Sequence, residues 1–446
     1  MFRRVSLVFV LLAAVPLWCQ QEDSNATPSA SSSSADDARM ATPPPVSGAA
    51  YPTETISESR SNYVRGGLTF NSTYTDNLLG GGSTKPVSDI SYSVWPIIAL
   101  DQVTPRLHAV LTYSPGFTFY QHTSSYNQQN QNVDIDFRYR LSPHLTLSLR
   151  DTLHKLSNVF NQPDLLASSP VSGSAQSPTV GVVAPLANQL NNTGNVELTY
   201  QFARDSMVGA SGVFYNLDFT NPGQVKGLFD SASRGGSAFY SHRLAKKHYI
   251  GAAYQYQQIL AYPTVGQSQL QTQTAFLFYT VFLRPTLSMS FSGGPQHSDI
   301  VQPAPSSESW SPAGTASFGW QARHTVVSGI YSRMVSGGGG LIGAYHSNNA
   351  ALSLRQQFTR NWNAGVTGGY SIYKTVDPVL SLFNEGGHTV TGSASLERRF
   401  GEHWDAALGY TRLHQSYSDI AAVAVFPNVN REWISITYQF ARPLGR

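Results

Sequence analysis

Along residues 132–153, apolar and polar positions alternate. Val133, Ile135, Phe137, Tyr139 and Leu141 fall on one side, and Asp134, Asp136, Arg138 and Arg140 on the other. Ser142-Pro143-His144 interrupts the pattern, which resumes as Leu145, Leu147 and Leu149 against Thr146, Ser148 and Arg150. A period of two belongs to an extended strand, whose successive side chains point to opposite faces. The stretch therefore predicts two strands joined by a tight turn, with one apolar and one charged face.

The same pattern recurs from residue 62 onward, and the helical period is essentially absent. Segments near 64–76, 88–100, 106–120, 131–141 and 144–156 open the series. It continues near 193–203, 206–217, 234–244, 247–259, 270–283 and 286–296. Further segments lie near 311–322, 324–335, 346–358, 361–374, 387–399, 402–415 and 430–440, which makes about eighteen strands, with sixteen as the alternative count. Tight turns centre near 104, 143, 205, 246, 285, 323, 360 and 401, mostly at intervals of roughly 40 residues, a repeat signal. Each repeat holds two long strands, one short turn and one long polar connection. The longest connection is 157–192, which could narrow a pore or lie exposed above it; SGGGG at 336–340 reads as another loop tip.

Segments of about ten residues, short turns on one side and long loops on the other are the plan of an outer-membrane barrel. In a bilayer every backbone polar group must be paired internally, and a sheet achieves this only by closing. The fold class expected is all-β, a transmembrane antiparallel up-and-down β-barrel with short periplasmic turns and long extracellular loops. The location is then the bacterial outer membrane. Tyr113, Phe117, Phe119, Tyr139, Tyr200, Phe202, Tyr438 and Phe440, near strand ends, fit an interfacial aromatic girdle.

Composition supports this reading. Only 12% of residues are charged, where about 25% is usual in soluble domains, and aromatic residues reach 12%. No internal run of about 18 apolar residues offers a membrane-spanning helix. The formal net charge of +3 is small and scattered, so nucleic acid is not an expected partner.

Three regions follow. Residues 1–20, with Arg3 and Arg4 ahead of a short apolar run, form a signal peptide. Cys19 is the only cysteine, and the bulky Trp18 before it argues against lipid attachment there. Residues 21–61 are Ser/Ala/Pro-rich without apolar periodicity, a disordered periplasmic segment too short on structure to form a plug domain. Residues 62–446 form the barrel.

The last strand places Ile434, Ile436, Tyr438 and Phe440 on one face and resembles the C-terminal signal read by barrel-assembly machinery. Tyr438 and Phe440 would carry it, although ARPLGR follows. FNSTYTDNLLGG (70–81), SDISYSVWPIIALD (88–101) and FRYRLSPHLTLSLRDTL (137–153) resemble the opening strands of β-barrel porin-2-like outer-membrane proteins. The resemblance covers roughly 68–156. It implies a porin-like conduit, with an exported polysaccharide as one cargo, and it carries over no catalytic residue.

The lumen-lining candidates are Asp134, Asp136, Arg138, Arg140, Arg150, Glu197, Arg355, Glu397 and Asp405. They could guide solutes or simply pair within the wall. Both signs occur, so strong ion selectivity is not expected. His108, His144, His154, His242, His248 and His324 are scattered, and no G-x-S-x-G phrase is present. GGGSTK at 80–85 lacks phosphate-loop spacing. No enzyme, metal or cofactor is expected. The function expected is passive passage of small hydrophilic solutes or an exported polysaccharide. The alternative is a closed structural or adhesive surface barrel acting through its extracellular loops. Lipid of the outer membrane is the surrounding partner in either case.

Overall fold

The alternation resolves into eighteen antiparallel strands in a computed structural model of the chain. It describes residues 40, 42–43, 45, 62–78, 85–156, 188–220, 228–263, 267–284, 286–302, 306–337, 344–376, 386–417 and 428–443. The strands are β1 (Asn62–Thr75), β2 (Asp89–Val103), β3 (Leu107–Tyr120), β4 (Gln128–Arg140), β5 (Leu145–Leu156) and β6 (Gln189–Ala203). Next come β7 (Ser206–Phe219), β8 (Asp230–Ala245), β9 (His248–Tyr262), β10 (Ser268–Arg284), β11 (Leu287–Gln302) and β12 (Ser307–Gln321). The last are β13 (Thr325–Gly337), β14 (Ala344–Gln357), β15 (Trp362–Thr375), β16 (Gly386–Phe400), β17 (Trp404–Tyr417) and β18 (Asn428–Pro443). Residues 1–20, expected to be a signal peptide, nearly all of 21–61, loop residues 157–187 and most of the 336–340 tip lie outside the described residues.

Each strand pairs with its sequence neighbour, and β18 pairs with β1, so the sheet closes on itself. The closing register places Gly66 opposite Phe440, Thr69 opposite Thr437 and Thr75 opposite Arg431. Pairing of β18 with β1 leaves neither end strand of the sheet as an edge for lipid to meet. Eight short turns join β2 to β3, β4 to β5, and so on to β16 and β17. Both strand ends that begin and finish the barrel share the side of these turns, as an even strand number requires. At the β16–β17 turn Gly401 adopts φ +70°, a left-handed conformation that costs glycine little.

The two faces differ as the alternation predicts. Leu68 and Phe70 are exposed on the outside of β1, while Thr69, Asn71 and Thr73 between them are buried inside. The same division places Ile434 and Ile436 outside and Ser435 inside on β18. On the outer face of β12, Trp310 and Trp320 mark two levels. At ~3.3 Å per residue and a tilt near 40°, they lie about 25 Å apart along the barrel axis, the height of an outer-membrane apolar belt. A closed barrel with this belt lies in a bacterial outer membrane.

The strands overrun the alternating pattern at the loop side. β6 begins at Gln189 rather than near 193, β8 at Asp230, and β12 at Ser307; β11 runs on to Gln302. In these stretches both faces carry polar residues: Gln189, Asn191, Ser231 and Ser298 on the inner face, Asn192 and Asp299 on the outer. Backbone pairing continues there after the apolar alternation has faded, because above the lipid neither face must be greasy.

Candidate functional site: the charged lumen wall

The lumen face can be read from register. Opposite the outward Ile135, Phe137 and Tyr139, β4 turns Asp134, Asp136, Arg138 and Arg140 inward. Asp136 stands directly across from Arg150 of β5, and Arg150 Nη2 donates to Asp136 Oδ2 at 3.0 Å. Glu197 of β6 lies across from Ser148, which in turn faces Arg138, so the carboxylate neighbours both arginines. Higher in the same wall, His154 reaches Asn132 Oδ1 at 3.0 Å through Nδ1 and Asp134 Oδ1 at 3.6 Å through Nε2. Arg138 and Arg150 are exposed to the lumen. This wall is therefore a charged surface that water reaches, where ions cost far less than in a dry core.

A second charged group occupies β14–β17. Arg355, Glu397 and Asp405 share the inward parity of Ser353, Ser395 and Ala407, opposite the exposed Leu354 and Leu408. Arg399 faces Asp405 across the β16–β17 turn, with Nε donating to Oδ1 at 3.3 Å. β5 and β14 stand nine places apart in the ring of eighteen, so the two charged groups occupy opposite walls of the lumen.

Between these groups the wall is lined with hydroxyls that pair across strands. Ser211 meets Ser237 at 2.8 Å, Thr280 meets Ser290 at 2.7 Å, and Ser292 meets Thr315 at 2.6 Å. Thr367 and Ser393 lie 2.6 Å apart, and Thr69 and Thr437 2.9 Å apart near the closing strands. Such pairs satisfy one another; Thr367 is exposed, whereas Thr280, Ser290 and Thr69 are buried. Among the described residues, no three His, Cys, Asp or Glu side chains gather as a metal site would need.

Sequence patterning did not anticipate a constriction on the loop side. Ile259, Leu270 and Ile300 point inward from β9, β10 and β11. They pack against Val335 and Ala344, with Val376 beside them. Yet Val335, Ala344 and Val376 share the outward parity of Tyr331, Leu352 and Tyr370, which are exposed. The loop ends of β13–β15 have therefore rolled inside the barrel, laying their outer face on the inner face of β9–β11. Gly337 lies so close to Ile259 that a methyl group there would overlap it.

Two prolines explain how the strands part. Pro295 of β11 and Pro312 of β12 are directly opposed in an intact ladder. A pair without N–H groups can hold such a place only at a non-hydrogen-bonded position, where backbone nitrogens turn toward the outer neighbours. The β10–β11 ladder accordingly skips Pro295, and the β12–β13 ladder ends at Gly314–Arg333, just short of Pro312. Gln296 fills the gap. Its side chain accepts from the Val335 N–H at 2.7 Å and donates to the Val335 carbonyl at 3.1 Å, replacing the missing strand contact.

Other anchors also escaped the sequence reading. Arg65 of β1 donates to Asp101 of β2 at 2.9 Å, inside and near the turn-side rim. Asp89, the first residue of β2, accepts from the N–H groups of Ile90 at 2.7 Å and Thr123 at 2.8 Å and from Thr123 Oγ1 at 2.6 Å, pinning the β3–β4 connection.

Comparison with known proteins yields structures alone. No family model matches the chain, and no curated protein matches it, so the likeness of residues 68–156 to porin-2-like proteins has no family match beside it. The chain is similar in structure to OpdK of Pseudomonas aeruginosa, determined with vanillate, at TM-score 0.43 and 9% identity, over 85% of this chain and 99% of that one. OccK2 (OpdF) of the same organism gives TM-score 0.43 and 9% identity over 85% and 98%. Acinetobacter baumannii OccAB4 gives 0.42 and 10% over 86% and 99%. Likeness at this level assigns the chain no solute and no mechanism. The closed sheet and its charged inner wall stand on their own geometry.

Proposed function

We propose that the protein is a passive outer-membrane channel for small hydrophilic solutes. The observation that supports this most directly is the water-accessible charged wall of β4–β6, with Arg138 and Arg150 exposed inside a sheet closed against lipid. A barrel of eighteen strands is wide enough for an aqueous lumen. Opposed walls of mixed sign, with cross-strand hydroxyls between them, suit polar solutes without strong preference for either ion sign. The hydroxyl-rich lining also suits a polyhydroxylated chain, so an exported polysaccharide is the finer reading of the cargo. Passage needs no energy source and no cofactor.

The rolled-in ends of β13–β15 favour one competing reading, a closed barrel that acts through its outer loops. Single-channel recording of the refolded protein in a planar bilayer separates the two. Steady ohmic steps from protein shown to be folded by heat-modifiable gel mobility support the channel. A silent bilayer with equally folded protein overturns it.

A further inference from the structure

The lipid-facing side of β17 changes character as it nears the loops. Trp404, Leu408 and Tyr410 are exposed on its outer face, and Arg412 and His414 continue that face toward the loop side. Trp404 and His414 are as far apart in sequence as Trp310 and Trp320. At ~3.3 Å per residue and a tilt near 40°, they too lie about 25 Å apart along the axis. His414 therefore stands at the loop-side edge of the apolar belt. Arg412 starts just below it, and its long stem lets the guanidinium rise to the same level. His388, on the outer face of β16, joins them. Its ring centre lies 5.5 Å from that of His414 and 6.3 Å from that of Tyr370 on β15.

A charged side chain at this depth calls for a counter-charge. The cross-strand neighbours of Arg412 supply none. It faces Gly392 on β16, where a Cβ would meet nothing within 4 Å, and Asn430 on β18. Asn430 is already committed. Its N–H and Nδ2 donate to Asp76 at 2.7 and 2.6 Å, and its Oδ1 accepts from the Tyr410 hydroxyl at 2.7 Å. Glu432, also outward on β18, stands across from Tyr410, and no ion pair joins it to Arg412 among the described residues. His414 spends only Nδ1, which meets Asn428 Oδ1 at 2.9 Å. Arg412 thus keeps its planar fork of N–H donors, a shape that matches a phosphate, beside an open notch.

The surface below suits an acyl chain. Between the exposed rings of Tyr370 and Tyr410, the outward residues of β16 are the smaller Val390, Gly392 and Ala394. A shallow groove runs from the basic group down into the apolar belt, flanked by the two tyrosines. Headgroup donors above and a groove in the belt below are complementary to one kind of molecule, a lipid whose headgroup carries phosphate.

We infer that Arg412, His388 and His414 form a binding site for the phosphate of an acylated lipid in the outer leaflet, with its chain lying along the outer face of β16. The site faces lipid rather than the lumen, so it stands apart from the channel reading.

The test uses the full chain folded in detergent, with folding checked by heat-modifiable gel mobility. Native mass spectrometry measures retention of three probes: lipid A with its phosphates, the same lipid stripped of phosphate, and inorganic phosphate. The phosphorylated lipid is expected to bind at least tenfold more tightly than the stripped one. Arg412→Gln combined with His388→Gln and His414→Gln should abolish that preference, and Arg412→Gln alone should remove part of it. Arg234→Gln is the control, since it removes an outward arginine from β8, far around the ring, and should change nothing. Equal retention of both lipids, an unaffected triple variant, or an equal loss with Arg234→Gln each overturns the site. Inorganic phosphate that competes as well as the lipid overturns the lipid as its occupant. A dimer that the triple variant breaks overturns it in favour of a second copy of the chain.

Discussion

Phe440 lays its ring over Gly66 on the lipid-facing side, where the last strand closes on the first; a methyl group at Gly66 would overlap the ring. The residue read from sequence as part of an assembly signal thus also fills the outer surface of the seam. Gly66→Val should push the ring out and weaken closure by about 1–3 kcal/mol, the usual cost of overpacking. Urea unfolding and the fraction of heat-modifiable protein would register it. Gly392→Ala, which meets nothing within 4 Å, is the matched control and should change neither.

Gln296 substitutes for a strand contact, so Gln296→Ala should leave the Val335 backbone groups unpaired. A loss of about 1–3 kcal/mol is expected locally. The Val335 amide should then exchange with solvent much faster, while amides of β4–β6 keep their protection. Equal exchange at Val335 in both proteins would mean that the side chain does not hold the rolled-in strand.

Pro312→Ala restores an N–H that faces β13. If the proline is what ends the β12–β13 ladder, this variant should let the strands pair beyond Gly314–Arg333 and draw the tip of β13 back into the wall. A wider lumen and a larger conductance step are expected. An unchanged step would place the cause of the inward roll elsewhere.

The arginines of β4 and β5 face their counterparts on β14–β17 from across the lumen. Reversing Arg138 and Arg150 to Glu should move the reversal potential toward cations in a salt gradient. Each charge within ~4 Å of a passing ion is worth roughly 1 kcal/mol in water, a factor of about five in preference. At 1 M salt the Debye length is about 3 Å, and the shift should nearly vanish.

Asp89 holds the β3–β4 connection through three protein donors besides its own neighbour's amide. Asp89→Ala should release residues 121–127 and make them a site of limited proteolysis in folded protein. The barrel should survive, because its β2–β3 ladder does not use this side chain.

Strand number, turn positions and facing were legible because lipid on one side and water on the other impose strict alternation. Val133 to Leu149 shows this well, since each apolar residue there faces out and each charged one faces in. The alternation is silent where that contrast ends. Val335 and Ala344 read as lipid-facing by parity, yet they are covered by the inner face of distant strands. Asp405 shares the inward parity of β17, but its partner Arg399 depends on the register of the β16–β17 turn. Arg65 and Asp101 meet only once β1 and β2 are aligned. Met40 lies in a stretch with no period at all, so nothing in its neighbours marks its packing against Met207 and Phe239.

The loop-side overrun of the strands has a further consequence. β10 is 17 residues long and β8 and β11 are 16 each, well beyond the ten or so that cross the bilayer. The excess stands above the lipid as a rigid collar of paired backbone. Whatever approaches the cell from outside meets this rim before it meets the membrane, and the loops are displayed from its top edge, where their sequences can change without disturbing the wall beneath.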